Sequence, residues 1–252
     1  EVESFLSDPT ADKRARKIDE LLERPGYVAW WTTRLCDFTG NNDDSLNNAT
    51  PNRATGSREW YDWIYKRVAE NESYDNLVEG IVMATSRNDG ESFREYCENL
   101  SAMYHNTKGD KPSFADRDYM PHYWARRNFR LPEERVIGFA YTFLGIRIQC
   151  AQCHKHPFDQ WTKNDFDAFK GFLTQVTYGQ NRETRDEYDA MLKALGLKGN
   201  LRGNEARREI EKLVAQGKTV PYQELYVGGA RNRNDSNASP SLLRTEPVDL
   251  SK

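Results

Sequence analysis

The sequence predicts a mainly α-helical fold: an irregular, multi-helix single domain with long loops and little or no sheet. Apolar residues recur at helical spacing in more than six segments, and proline, glycine or polar capping residues separate most of these segments. Only residues 219–227 have a strand-like composition. Six Trp, 13 Tyr and 11 Phe supply the large side chains that a helical core needs.

Five apolar stripes indicate helices in the first half of the chain. Pro25 and Gly26 separate the first two of these helices, and Ser73 is a candidate N-cap of the fourth. The polar residues 39–56 predict a long loop between the second and the third. The stripes are Ala15, Ile18, Leu21 and Leu22; Tyr27, Trp30, Trp31, Leu35 and Phe38; Trp60, Trp63, Ile64 and Val68; Tyr74, Leu77, Val78, Ile81 and Val82; and Phe93, Tyr96, Cys97, Leu100, Met103 and Tyr104.

A helix is expected to begin at Pro132, because proline suits the first helical position and the two glutamates after it suit the positive helix start. This helix is expected to cover residues 132–148. Thr162 and Asp165 predict a capping pair for the helix that follows. Two shorter amphipathic stretches come before residue 217.

The pattern divides the chain into three regions. Residues 5–175 form the predicted helical domain, and residues 176–217 form a helical extension. Residues 218–252, rich in Gly, Asn and Ser, are expected to be a loosely structured tail that leads to a further domain of a longer protein.

The charge balance argues against several classes of partner. The chain has 36 Lys and Arg against 39 Asp and Glu, a net charge of −3, which gives no case for nucleic acid or a polybasic membrane contact. No apolar run approaches the ~20 residues of a spanning helix, so no transmembrane segment is expected in this chain. Four cysteines are too few for a disulfide scaffold of this size.

Residues 150–154 read Cys-Ala-Gln-Cys-His, the C-x-x-C-H pattern of covalent c-type haem attachment. Cys150 and Cys153, three residues apart, suit the two vinyl groups of one porphyrin. His154 follows at once and suits the proximal iron ligand. The composition predicts about 0.001 chance occurrences of this pattern per chain. The sequence therefore predicts one covalent haem c.

Three other interpretations of the motif remain open. Zinc binding would require a distant histidine such as His105 or His122, since His154 and His156 lie too close together for one tetrahedral centre. A dithiol redox pair normally opens a helix after a strand, whereas a helix is expected before this motif. The two cysteines are otherwise structural, as a disulfide or as buried thiols.

The second axial position of the iron has several candidates. His122, among aromatic residues and next to a proline, is the first, followed by Met120, with His156 as a further alternative and an open iron site also possible. Four other candidates fit packing or capping better: Met83, Met103, Met191 and His105.

Five further residues are candidates for haem contacts. Arg126, Arg127 and Arg147 suit the two propionates, because a guanidinium binds carboxylates well. Phe158 and Trp161 suit the porphyrin edge. The alternatives are surface salt bridges for the arginines and anchoring of the turn for the two aromatic residues.

Four stretches resemble the planctomycete cytochrome-c-like domain, a family of unknown function from large exported bacterial proteins. They are FLGIRIQCAQCHKHPFDQW at 143–161, RKIDELLERPGY at 16–27, EWYDWI at 59–64 and YDNLV at 74–78. The resemblance covers roughly residues 5 to 175. It implies export across the cytoplasmic membrane, where c-type haem is attached, to the periplasm or the cell exterior, and a place within a longer chain.

The leading functional hypothesis is a mono-haem domain that exchanges electrons with a partner protein or with another domain of the same chain. One alternative is a haem or metal enzyme or sensor with an open iron site. Another is a structural domain without haem, with a disulfide or metal at the motif. Whether the chain is an enzyme is left open by the sequence, and an electron carrier is favoured.

Overall fold

The structure is a computed structural model that describes residues 1–46, 55–106, 109–197, 203–228 and 242–243. Within these ranges the chain is mainly helical, as the sequence predicts, with one two-stranded antiparallel sheet. The helices are α1 (Val2–Ser7), α2 (Lys13–Leu22), α3 (Pro25–Thr39), α4 (Gly56–Ala69), α5 (Tyr74–Val82), α6 (Phe93–Tyr104), α7 (Pro132–Leu144), α8 (Lys163–Lys170), α9 (Arg185–Ala194) and α10 (Gly203–Ala215); the strands are β1 (Val176–Gly179) and β2 (Glu224–Val227). Short 3₁₀ turns cover Phe114–Asp116, Pro121–Tyr123, Gln149–Gln152 and Gly171–Leu173.

The main core forms around α4, α5 and α6, whose predicted stripes are buried. Trp60 and Trp63 of α4 and Ile81 of α5 are fully buried, and Cys97 lies on the buried face of α6. Burial of large apolar side chains contributes about 1.5–3 kcal/mol each, so these stripes supply much of the stability of the fold. The helix predictions for this region are confirmed.

The stripes of α2 and α3 are less buried than their periodicity suggests. Ile18 of α2 is 46% exposed, and Trp30 and Phe38 of α3 are 53% and 56% exposed. The buried face of α3 is a different one, with Thr32 and Cys36 toward α4. Both helices form as predicted, but periodicity does not say which face meets the core.

A smaller apolar cluster joins α7, α8 and the segment between them. Val136 and Ala140 of α7 pack with Ile148, Ala151 and Phe166. The capping box predicted at the start of α8 is present, because the Thr162 side chain accepts from the Asp165 amide and the Asp165 carboxylate accepts from the Thr162 amide. This second cluster supports the segment that contains the C-x-x-C-H motif.

The segment after α10 is packed into the core, whereas the sequence predicted a loose tail from residue 218. Val220 is fully buried and Leu225 is 1% exposed. The Leu225 amide donates to Ser86 Oγ at 2.8 Å, and β2 pairs with β1 from Val176↔Val227 to Gly179↔Glu224. These contacts join residues distant in sequence, which local composition does not reveal. Residues 229–241 and 244–252 of the predicted tail, and residues 47–54 of the predicted loop, lie outside the described residues.

Across the described ranges, none of the helices is both long enough and apolar enough to cross a bilayer.

Candidate functional site

The C-x-x-C-H motif lies on a separate turn after α7. The helix ends at Leu144, earlier than the predicted 148, because Gly145 takes a left-handed conformation with φ of 66°. The Ile146 amide then donates to the Ala140 carbonyl at 3.0 Å, and the 3₁₀ turn Gln149–Gln152 follows. The motif therefore lies at the surface on a short turn, rather than on an extension of the helix.

The residues of this turn are of two kinds: some are buried and anchor it, and others are exposed. Ile148 and Ala151 are fully buried in the second cluster, while Cys150 and Cys153 are exposed free thiols. The amides of Cys153 and His154 both point toward the Cys150 carbonyl, at 3.4 Å. The small Ala151 thus anchors the turn in the second cluster and leaves both cysteines exposed.

His154 is exposed, and its ring orientation is set by the backbone. Its Nδ1 atom lies 2.7 Å from the Lys155 carbonyl oxygen. Since a carbonyl oxygen only accepts, Nδ1 carries the proton in this contact, and in the neutral ring Nε2 keeps its lone pair. Metal-binding histidines are commonly oriented in this way by a hydrogen bond at the other ring nitrogen.

The residues after the motif form a tight loop with contrasting side chains. The His156 amide donates to the Trp161 carbonyl at 2.8 Å, and the Phe158 amide donates to His156 Nδ1 at 3.2 Å. Trp161 is 6% exposed and packs in the second cluster, whereas Phe158 is 95% exposed. Trp161 anchors the loop, and Phe158 presents a bare aromatic ring beside the motif.

His122 lies in the main core within a buried polar pair. It is 2% exposed, its Nε2 atom lies 3.0 Å from Glu59 Oε2, and its ring packs on Phe114 at 4.6 Å between centroids. The Tyr104 hydroxyl donates to the other oxygen of Glu59 at 2.6 Å. His122 Nδ1 is buried without a hydrogen-bond partner in the described part of the chain. The neighbouring Met120 is fully buried in the same core.

The predicted arginines take different positions. Arg126 is 7% exposed and bonds backbone carbonyls, whereas Arg127 is exposed at the edge of a groove. Arg147 is exposed on the approach to the motif, 6.0 Å from the centre of the Tyr141 ring. Only Arg147 is adjacent to the motif in sequence.

The chain matches the family model described as "PSCyt2: Protein of unknown function (DUF1549)" over residues 1–178. The chain belongs to this family. This confirms the predicted resemblance to the planctomycete cytochrome-c-like domain. No curated protein and no solved structure gives a significant match.

The PSCyt2 region holds all four cysteines, which fall into two chemical groups. Burial raises the pKa of Cys36 to about 11 and that of Cys97 to about 12, so neither is a thiolate near neutral pH. Cys150 and Cys153 are exposed. None of the described residues form a group of three or more His, Cys, Asp or Glu side chains arranged to hold a metal ion.

Two buried pairs of polar side chains in the PSCyt2 region were not anticipated from the sequence. Glu59 and His122 are 63 residues apart, and Glu91 and Arg117 are 26 apart. The charged residue Glu59 on the otherwise apolar face of α4 is the one local signal of the first pair.

Glu59 gives the stability of this region a predictable pH dependence. Burial alone would raise the pKa of Glu59, but the hydrogen bond and charge of His122 and the hydroxyl of Tyr104 outweigh it and hold the pKa below its usual value. A lowered folded-state pKa stabilises the fold above the unfolded-state value of about 4.3. That stabilisation is lost as the pH falls through the folded-state pKa.

We expect the Glu59→Gln variant to be less stable than the wild type by about 1–3 kcal/mol at pH 6, with the difference shrinking as the pH is lowered toward 3. Urea unfolding at a series of pH values measures this difference in stability. Glu70→Gln, at the exposed C-terminal end of α4, is the control and should have little effect. The prediction would be contradicted if the free energies of unfolding of the wild type and of Glu59→Gln differed by the same amount at every pH.

Proposed function

We propose that this chain is a c-type haem-binding electron-transfer domain, with one haem bound covalently through Cys150 and Cys153 and with His154 as the proximal ligand. The observation that carries the proposal is the surface turn on which Cys150, Cys153 and His154 are all exposed, with the Nδ1 atom of His154 bonded to a backbone carbonyl.

The residues around the motif fit a haem group chemically. Two exposed cysteines and an imidazole whose Nε2 atom has no hydrogen bond to the described part of the chain suit covalent haem attachment, and the exposed ring of Phe158 lies in the loop directly after them. When bound, the haem supplies the redox chemistry. Cys150 and Cys153 would attach it, the Lys155 carbonyl would orient the His154 imidazole, and the exposed ring of Phe158 would be available to contact the porphyrin edge.

The test is the mass of the chain after expression with a bacterial cytochrome c maturation system. We expect the wild type to gain the mass of one haem and to give the pyridine haemochrome spectrum of a c-type centre after acid-acetone extraction. The Cys150→Ser/Cys153→Ser variant should show neither. Cys36→Ala removes a thiol outside the motif and should keep the haem. A wild-type chain without added mass under these conditions would refute the proposal.

The second axial ligand is a separate proposal, with His122 as first candidate. The buried Nδ1 atom of His122 lacks a hydrogen-bond partner within the described ranges, whereas Nε2 is used by Glu59. Ligation through Nδ1 would leave the pair with Glu59 intact. Met120 and His156 are the alternatives, and an iron without a sixth protein ligand would bind added carbon monoxide or cyanide readily.

Replacing His122 with alanine is expected to convert a low-spin haem spectrum to a high-spin one. Since the change also leaves Glu59 buried without its partner, His122→Gln is a second variant that keeps a donor toward Glu59. An unchanged low-spin spectrum in both variants would assign the ligand to Met120 or His156. Bis-histidine iron has a lower potential than iron with a methionine ligand, and a potential titration distinguishes them.

The location and the partner follow from the same chemistry. Haem is attached to c-type proteins outside the bacterial cytoplasmic membrane, and we propose a periplasmic or extracellular location, as the family resemblance implies. The electron partner is proposed to be another redox protein or another domain of a longer chain. Export is testable by fractionating cells that produce the native gene product and probing each fraction for haem.

A further inference from the structure

An open groove of about 850 Å³ lies between the end of α3 and the segment that leads into α7. Three arginines line it: Arg126, Arg127 and Arg130. Arg127 and Arg130 are exposed, and Arg126 is 93% buried at its inner wall, being 7% exposed. The groove therefore combines one buried guanidinium with two exposed ones.

Arg126 is a buried charge without a carboxylate partner in the described part of the chain. Its Nε atom donates to the Tyr123 carbonyl at 2.9 Å, and Nη1 donates to the Gly40 carbonyl at 3.2 Å. Its guanidinium stacks 3.9 Å from the centre of the Phe129 ring. Burial lowers the pKa of Arg126 to about 10, so it stays charged at neutral pH.

Two other buried arginines differ from Arg126 in their charge partners or in their position. Arg117 is equally buried and forms a two-point ion pair with Glu91. Arg135 bonds only carbonyls, as Arg126 does, but Glu134 acts on it electrostatically and it does not line the groove. A buried cation is usually paired, because an uncompensated charge is costly to bury.

The backbone holds this arrangement in place. Gly40 adopts φ of 80°, which other residues rarely adopt, and a Cβ atom there would lie 2.2 Å from Arg126 Nη1 and displace the guanidinium. The Arg127 amide donates to the Ser45 carbonyl at 2.9 Å, which joins the two segments that line the groove. The lining also includes Asp37, which pairs with Arg34 at 3.8 Å, and Asp44. Three arginines against two aspartates leave a positive surplus.

We propose that this groove is an oxyanion site, in which Arg126, Arg127 and Arg130 bind a carboxylate or phosphate group. Arginine presents two parallel N–H donors to such a group, and charge-assisted bonds of this kind are the stronger hydrogen bonds in proteins. The group has two sources: a free small anion, or the propionates of a haem at the motif.

The test uses the Cys150→Ser/Cys153→Ser chain, which has no thiols for haem attachment, and inorganic phosphate as the probe. Isothermal titration calorimetry at constant ionic strength, with sodium chloride as the balancing salt, should show saturable one-site binding. Adding Arg127→Gln and Arg130→Gln should weaken binding by about tenfold or more, since each removes a charge-assisted contact. Arg58→Gln, an exposed arginine outside the groove, should leave binding unchanged.

The haem-loaded wild type distinguishes the two sources. If phosphate binds it as well as it binds the chain without haem, the ligand is a free anion. If binding falls about tenfold or more, the propionates occupy the groove. Absence of saturable phosphate binding, or equal binding with and without Arg127 and Arg130, would overturn the proposal. Because the first titration needs no haem, its result is independent of the proposed electron-transfer function.

Discussion

Replacing Arg117 with methionine is expected to lower the free energy of unfolding by about 3–5 kcal/mol, because it leaves the Glu91 carboxylate buried and unpaired. The two side chains are 4% and 6% exposed, and they meet at 2.7 Å between Nη1 and Oε1 and at 2.6 Å between Nη2 and Oε2. Arg117 Nη2 also donates to the Ser86 carbonyl at 2.8 Å.

The position of this pair explains the size of the effect. The Trp63 indole and Arg67 both donate to the Arg117 carbonyl, so the segment around residue 117 joins α4 to the loop before α6. Burial alone would raise the pKa of Glu91, and the bonds from Arg117 and Asn99 outweigh it and lower the pKa. Glu91 is therefore ionised in the folded chain at neutral pH, and its unpaired charge would have to be solvated by local unfolding.

Lys66→Met is the matched control. Lys66 pairs with Asp116, next to Arg117, at 2.7 Å, but both side chains are more than one-third exposed. Exposed pairs contribute about 0–1 kcal/mol, so this variant should be close to the wild type in urea unfolding. The Glu91→Leu/Arg117→Met double variant should recover much of the lost stability. An Arg117→Met variant as stable as Lys66→Met would show that the Glu91–Arg117 pair is not needed for the stability of the fold.

The sequence predicts the helices best where an apolar stripe is both periodic and buried. Trp60 and Trp63 of α4 satisfy both conditions, and the helix forms where expected. The end of α7 is different, since Ile146 and Ile148 continue the apolar pattern while Gly145 terminates the helix through its positive φ. One residue with exceptional backbone freedom outweighs the periodicity around it.

The sheet and the buried polar pairs were harder to predict because they depend on contacts distant in sequence. Strand β2 lies within residues 219–227, whose strand-like composition the sequence shows. Its partner β1, at Val176–Gly179, lies more than forty residues earlier and is too short to stand out alone. The candidate haem site is the opposite case. Cys150, Cys153 and His154 lie within five residues, so their order alone indicates the chemistry, and the structure adds that all three are exposed and that His154 Nδ1 is held by a carbonyl.

The haem-loaded His154→Gly variant is expected to change from a low-spin to a high-spin spectrum while it keeps the mass of one haem. Both thiols remain, so attachment is preserved, but the proximal nitrogen is lost and the iron loses a strong-field ligand. His154 is exposed, and its hydrogen bond is to the adjacent carbonyl of Lys155, so the fold should tolerate the change. Added imidazole should enter the vacated position and restore the low-spin spectrum.

His156→Gly is the matched control for this prediction, since His156 lies two residues further on and its Nδ1 accepts from the Phe158 amide. With His122 as the sixth ligand, this variant should keep both the haem and the low-spin spectrum; a high-spin spectrum here would assign the sixth position to His156. If His154→Gly alone fails to acquire haem, His154 is still the residue on which a stable centre depends, because the same thiols are present in both variants. A His154→Gly chain that carries haem and stays low-spin without imidazole would remove His154 as the proximal ligand.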